Sequence, residues 1–309
     1  MVAIRHIALT LTLTTLSLVG PSQAPGPVRS RAAPDGLEPA DNQSSNAGKS
    51  SSPQDTSSSL FAQSAAQALN RDFPSRDISF LLLDAHTGRT LVSRWNHPDS
   101  PIPMGSLLKP FTALAYGEQH DYRYPIHTCR GTSTGCWLPR GHGDVDLTTA
   151  IEHSCNSYFR MLTADLTAAD VSPIAARFGL DRPAQEASGA ELAGLGSRWR
   201  TSPLRLAHAY LELAHQRQQP GVRQILDGMA LSARHGTGAQ VHRAFPSPDV
   251  LVKTGTALCT HSRRAPGDGF TVVLMPADDP QILLLIRVHG VPGAQAAKTA
   301  GQMLRRIED

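Results

Sequence analysis

Several things are scarce in this 309-residue chain. Formal charge is only +3, from 29 basic against 26 acidic residues, and no basic stripe runs along the sequence. Nucleic acid is therefore not an expected partner. No internal repeat is visible. The one apolar run near the start, residues 7–20, is short and diluted by threonines, too polar to read as a membrane span. With Arg5 ahead of it and Ser22-Gln23-Ala24 as a cleavage site, 1–24 reads as a signal peptide or, with Pro25 disfavouring cleavage, an N-terminal anchor. Residues 25–59 lack almost everything a core uses. Segment 44–59 has eight serines and no aromatic or large aliphatic side chain, the composition of a disordered linker. About 250 residues remain from Leu60 onward, enough for one substantial domain.

What is present is a set of three short motifs in fixed order. They are Ser106-Leu107-Leu108-Lys109, Ser154-Cys155-Asn156 and Lys253-Thr254-Gly255-Thr256. A serine hydroxyl is a weak nucleophile at neutral pH and requires a nearby base. On a helix, positions i and i+3 share a face, so Ser106 and Lys109 project together. Lys109 serves as a base once burial and a neighbouring cation lower its pKa. Lys253 can be that cation and Ser154 a hydroxyl relay, while Asn156 can hold a substrate amide from the same turn. Val250-Leu251-Val252 reads as a buried strand leading into Lys253. Gly255 would then let a substrate backbone lie close.

Flanking residues extend the pattern. Leu83-Asp84 with Thr87-Gly88 resembles an opening hairpin, and Met104-Gly105 with Pro110-Phe111-Thr112 frames a nucleophile helix. Gly141-His142-Gly143, Ser157-Tyr158-Phe159, Thr201-Ser202-Pro203-Leu204 with Ala207-His208-Ala209-Tyr210, and Gly236-Thr237-Gly238 follow in order. Over residues 78–290 the chain resembles the transpeptidase domain of penicillin-binding proteins, closest to the elongation-type class B members.

That resemblance implies an α+β fold, a five-stranded antiparallel sheet flanked by helices plus a mostly helical subdomain, for a domain spanning 60–309. It implies an exported serine acyltransferase acting on D-Ala-D-Ala peptidoglycan stem peptides, as a D,D-transpeptidase or carboxypeptidase, and bound by β-lactam antibiotics. Ser106 would be acylated, Lys109 its base and Ser154 the relay to the leaving amine. Asn156 would orient the donor's amide, and Lys253, Thr254 and Thr256 would hold its terminal carboxylate. The N–H groups of Ser106 and Thr256 would form the oxyanion hole. Such a protein works outside the cytoplasm, in the periplasm or cell envelope, possible partners being other cell-wall synthesis proteins. The chain departs from the class B pattern in having a serine-rich linker where a pedestal region would stand, and only 99 positions between Ser154 and Lys253. The alternatives are a non-catalytic module that binds β-lactams or peptidoglycan, and a β-lactamase. A class A β-lactamase needs a Glu-x-x-Leu-Asn motif, absent between Asn156 and Lys253, where Glu186, Glu191 and Glu212 read as surface residues; other classes deacylate through the lysine itself.

Cys129, Cys136, His142 and Cys155 form C-x6-C-x5-H-x12-C, a Cys3His set suited to structural zinc. The resemblance adds that elongation-type relatives sometimes place a metal here. A Cys129–Cys136 disulfide is the competing reading for an exported protein. Cys259 reads as a small packing residue, Arg263-Arg264 with Gly267-Asp268-Gly269 as a solvated hairpin turn, and Trp137 and Trp199 as cleft or core. Periodicity predicts helices near 60–70, 106–117, 147–152, 157–165, 172–178, 203–215, 222–234 and 293–307. Strands are predicted at 78–84, 89–95, 249–256, 269–275 and 281–288.

Overall fold

The computed structural model describes residues 53–246, 249–260 and 265–308, all inside one compact unit, 51–309. The signal segment, linker residues 25–52 and Arg263-Arg264 lie outside the described residues. In chain order the elements are α1 (Pro53–Asp72), β1 (Ile78–Asp84), β2 (Thr90–Arg94), β3 (Ile102–Pro103) and α2 (Lys109–Gln119). Next come β4 (His127–Cys129), β5 (Gly143–Val145), α3 (Leu147–Glu152), α4 (Asn156–Leu162), α5 (Ala168–Arg177) and α6 (Gly189–Leu192). The chain continues through β6 (Arg200–Thr201), α7 (Pro203–His215), α8 (Val222–Arg234) and α9 (Ala239–Ala244). It closes with β7 (Leu251–Ala257), β8 (Asp268–Met275), β9 (Ile282–His289) and α10 (Gly293–Glu308). The first helix begins at Pro53, so it takes in the last residues assigned to the linker.

The five long strands form one antiparallel sheet in the order β2-β1-β9-β8-β7. The central strands read as continuous apolar runs because both sheet faces are covered. Alternation sorts their side chains: Phe80, Leu82, Val273 and Leu284 pack with Leu69, Ala296, Ala300 and Leu304 of α1 and α10. Leu81, Leu83, Val272 and Leu285 face the other way, onto Leu107, Phe111, Tyr210 and the rest of the helical half. Two cores thus sandwich the sheet. The sheet's edge strands are β2 and β7, and β7 runs beside the turn at Gly105 in the helical half.

Candidate active site

Residues Gly105–Leu108 form a single 3-10 turn ahead of α2, so the nucleophile motif is not entirely α-helical. In a 3-10 turn positions i and i+3 eclipse, which stacks Lys109 on Ser106 more directly than an α-turn would. Gly105 has φ +59° and a Cβ there would lie 2.3 Å from the Thr256 carbonyl oxygen. Only glycine lets the nucleophile turn press this closely against β7. Gly255 answers from the strand: its Cβ would sit 2.8 Å from the Met104 carbonyl oxygen. Gly255 is thus needed for contact with the nucleophile turn, a closer constraint than the substrate approach expected of it.

Ser154 sits in the turn between α3 and α4 at φ +50°, a strained conformation for a side chain other than glycine. The turn is held by Ser154 and Cys155 N–H donating to the Ile151 and Ala150 carbonyls at 3.2 and 2.9 Å. It delivers Ser154 and Asn156 to Lys109. The Lys109 amine donates to the Ser154 carbonyl at 2.8 Å and to Asn156 Oδ1 at 2.7 Å, and reaches Ser154 Oγ at 3.3 Å. On β7, Lys253 faces the helical half and donates to Ser154 Oγ and the Thr254 carbonyl, both at 2.9 Å. The Ser154 hydroxyl therefore lies between two amines.

Both lysines are fully buried. Burial pulls Lys109 down to about 7; the Cys155 and Cys136 sulfurs oppose that shift and Arg160 adds to it. Lys253 lies well below its ordinary value, through burial first and the neighbouring Lys109 second. A neutral Lys109 has two N–H groups to give, to Ser154 and Asn156, and keeps a lone pair. The ring of Phe159 lies 5.2 Å from its nitrogen.

These groups adjoin a cleft of about 400 Å³ lined by Ser106, Ser154, Asn156, Thr254, Gly255 and Thr256. Ser106 is half-buried, and among the described residues nothing hydrogen-bonds its hydroxyl. Lys109 and Lys253 are buried behind the lining and reach it through the Ser154 hydroxyl. Thr237 also lines the cleft, and Thr254 Oγ1 donates to Thr237 Oγ1 at 2.6 Å. Its only sequence signal was the Gly-Thr-Gly likeness. Leu195 and Pro292–Ala294 complete the wall, and Gly293 N–H donates to Thr256 Oγ1 at 3.0 Å. No motif pointed to them. Trp137, 51% exposed, lines the cleft, whereas Trp199 is a core residue. Glu186 and Glu191 pair with Arg198, and Glu212 accepts from Gln216; none lines the cleft.

Comparison with known proteins decides the family. A model of the penicillin binding protein transpeptidase domain matches residues 78–309. The chain belongs to that family. Among solved structures, Pseudomonas aeruginosa PBP2 in complex with WCK 5153 is similar at 20% identity and TM-score 0.64, covering 81% of this chain and 73% of that one. The apo transpeptidase domain of Burkholderia pseudomallei penicillin-binding protein 3 aligns at 18% identity and TM-score 0.62, covering 82% and 93%. Helicobacter pylori PBP2, solved in complex with MreC, aligns at 16% identity and TM-score 0.65, covering 81% and 62%. These likenesses establish the shared α+β fold. No curated protein sequence matches the chain.

Behind the Ser-Cys-Asn turn of this transpeptidase domain, the four expected metal-ligand residues converge. The ligand atoms of Cys129, Cys136, His142 and Cys155 all lie within 4.8 Å of one another. His142 Nδ1 is 3.5 Å from Cys129 Sγ and 3.6 Å from Cys136 Sγ, and the Cys136 and Cys155 sulfurs are 3.9 Å apart. Tetrahedral zinc, with Zn–S about 2.3 Å and Zn–N about 2.0 Å, separates ligand atoms by about 3.5–3.8 Å. The residues fit the ion. All four cysteines are free thiols, so the Cys129–Cys136 disulfide is not formed in this arrangement, which gathers four atoms and not a pair. Burial, with His153 and Lys109 adding to it, lowers His142 to about 4, leaving its ring neutral for coordination.

Cys259 and its surroundings correct two expectations. Its thiol lies 3.1 Å from Asp268 Oδ1 and 3.2 Å from His289 Nδ1, so it is a hydrogen-bonded residue and not mere packing. Asp268 opens β8, is 2% exposed and holds His289 at 2.7 Å; it belongs to the sheet, not to a solvated turn.

Proposed function

We propose that this domain is an exported serine D,D-acyltransferase that acts on D-Ala-D-Ala stem peptides of peptidoglycan and is acylated by β-lactams at Ser106. The observation that carries the reading is the Ser154 hydroxyl held between the buried amines of Lys109 and Lys253, beside a cleft lined by Ser106. Lys109, neutral near pH 7, takes the Ser106 proton as Oγ attacks the penultimate D-alanine carbonyl. The proton passes through Ser154 to the departing amine nitrogen, and the C–N bond breaks to release D-alanine. Lys253, with Thr254, Thr256 and Thr237, receives the substrate's terminal carboxylate, whose charge draws the buried amine toward its protonated form. Asn156, its oxygen engaged by Lys109, has its carboxamide N–H groups for the substrate. The outer edge of β7 at Gly255 and Thr256 suits an extended peptide added as a strand. The N–H groups of Ser106 and Thr256 serve as the oxyanion hole. An amine or water then attacks the acyl-serine and restores Ser106, giving transpeptidation or carboxypeptidation.

Zinc in the Cys129, Cys136, His142 and Cys155 set would contribute bracing, not Lewis-acid chemistry. Cys155 lies between Ser154 and Asn156, so fixing its sulfur fixes the turn that presents both. Placement outside the cytoplasm follows from this substrate and from the apolar N-terminal segment. Among the described residues no helix is long and apolar enough to cross a membrane. Helicobacter pylori PBP2 was solved with MreC, and a cell-wall synthesis protein is the corresponding class of partner here. The deciding experiment is the intact mass of the protein after exposure to a penicillin, beside Ser106→Ala. A single stable adduct on the unsubstituted protein alone supports the reading. Drug consumed without adduct makes it a β-lactamase, and drug left intact makes it a non-catalytic binding module.

A further inference from the structure

A second gathering of donor atoms lies at the end of the sheet just beyond Thr256. Cys259 follows the end of β7, Asp268 opens β8 and His289 closes β9. Strand register sets Asp268 between Ala257 of β7 and His289 of β9. The donor atoms form a small triangle. Cys259 Sγ is 3.1 Å from Asp268 Oδ1 and 3.2 Å from His289 Nδ1, and that nitrogen is 2.7 Å from the same oxygen. Asp268 is 2% and His289 8% exposed, whereas Cys259 is half-buried. The triangle is thus closed on the sheet side and reachable from solvent at the sulfur.

Nδ1 has one in-plane hydrogen or one lone pair, which cannot serve both the sulfur and the oxygen. A cation placed between the three atoms serves all of them at once. Tetrahedral zinc, with Zn–S about 2.3 Å and Zn–N and Zn–O about 2.0 Å, sets its ligand atoms about 3.3–3.5 Å apart. The sulfur's two contacts need to open by about 0.3–0.4 Å and the Asp268–His289 contact by about 0.6 Å, which small side-chain rotations supply. Thiolate with imidazole and carboxylate selects zinc or a similar first-row ion over magnesium and calcium, which take oxygen ligands. Thiolate and carboxylate each bring a negative charge, and the Arg287 guanidinium, which feels both, offsets part of it.

We propose that Cys259, Asp268 and His289 form a second metal site, for zinc or a similar divalent ion, with water as the fourth ligand. On binding, a bond forms from Cys259 Sγ to the metal and the thiol proton leaves to solvent. His289 coordinates through Nδ1 with its hydrogen on Nε2, and Asp268 Oδ1 exchanges hydrogen bonds for the metal. No electron is transferred. The ion ties the end of β7 to the end of β9. Thr256 stands just before Cys259, and Gly293 just after His289 donates to Thr256 Oγ1 at 3.0 Å; both line the cleft. The second site stiffens this wall, whereas the Cys3His set stands behind the Ser-Cys-Asn turn.

The test is metal content and thiol protection in the full chain. After equilibration with micromolar zinc and removal of free ion, Cys259→Ser and the near-isosteric Asp268→Asn should each hold about one metal equivalent fewer than the parent. The same difference should persist in a His142→Ala background, which disables the Cys3His set. In the parent, micromolar zinc should slow alkylation of Cys259 by iodoacetamide about tenfold, read by peptide mass, and a chelator should restore it. Equal metal content in parent and Cys259→Ser overturns the proposal and leaves a hydrogen-bonded cluster. Alkylation of Cys259 at one rate with and without zinc overturns it too, and that result needs no variant to fold. Protection that appears only at millimolar zinc is adventitious thiol binding and counts against it equally.

Discussion

Lys109 has a lone pair to use only when it is neutral, and its pKa near 7 places that condition within the working range. The protonated form dominates below about pH 7 and blocks proton abstraction from Ser106. Acylation by a penicillin should therefore climb about tenfold per pH unit between pH 5 and 6, then level off above about pH 8. A flat profile across that range would remove Lys109 as the base. Lys109→Met should slow acylation by about 10²–10⁴ while leaving the fold in place, read by rate of adduct formation and thermal melting. Ser154→Ala removes the hydroxyl that both amines reach and should cost a similar order in turnover of a D-Ala-D-Ala peptide, with a smaller effect on binding.

At the scale of elements, catalysis depends on how closely the nucleophile turn approaches β7. Gly105→Ala forces a left-handed backbone that costs about 1–2 kcal/mol and pushes a methyl group into the Thr256 carbonyl. Melting temperature should fall and the penicillin adduct should disappear; a normal adduct rate would show that the turn tolerates displacement. The proposed zinc would brace the Ser-Cys-Asn turn. His142→Ala or Cys129→Ser should release bound zinc, measured by elemental analysis, and slow Ser106 acylation about 10–100-fold. Protein purified gently without zinc and with two fewer titratable thiols would instead point to a Cys129–Cys136 disulfide.

Across the whole molecule, the sheet separates two cores. Helices α1 and α10 cover one face, and the other face meets the helical half that carries Ser106 and Ser154. Leu69 of α1 is fully buried on the face away from the cleft. Leu69→Ala should lower unfolding free energy by about 2–5 kcal/mol, read from denaturant titration, with the acylation rate unchanged at a temperature where the protein is folded. A matching loss of acylation would show that the two layers are coupled across the sheet.

The helices 147–152, 203–215 and 222–234 and strand 78–84 were legible in full, because local periodicity and end signals set them. Ser106, Lys109, Ser154, Asn156 and Lys253 could be named from sequence because each motif is short and its residue types answer one chemical need. The Cys3His set could be named from ligand type alone. The short strands β3–β6 escaped, since two or three residues carry too little pattern. Only tertiary packing could show Thr237 beside Thr254, Gly293 beside Thr256, Lys253 behind the cleft lining, and Cys259, Asp268 and His289 together at one end of the sheet. The sequence determined which groups are available for reaction. Their neighbours depend on contacts across many residues, and so does the burial that brings Lys109 to about 7; these the folded structure decided.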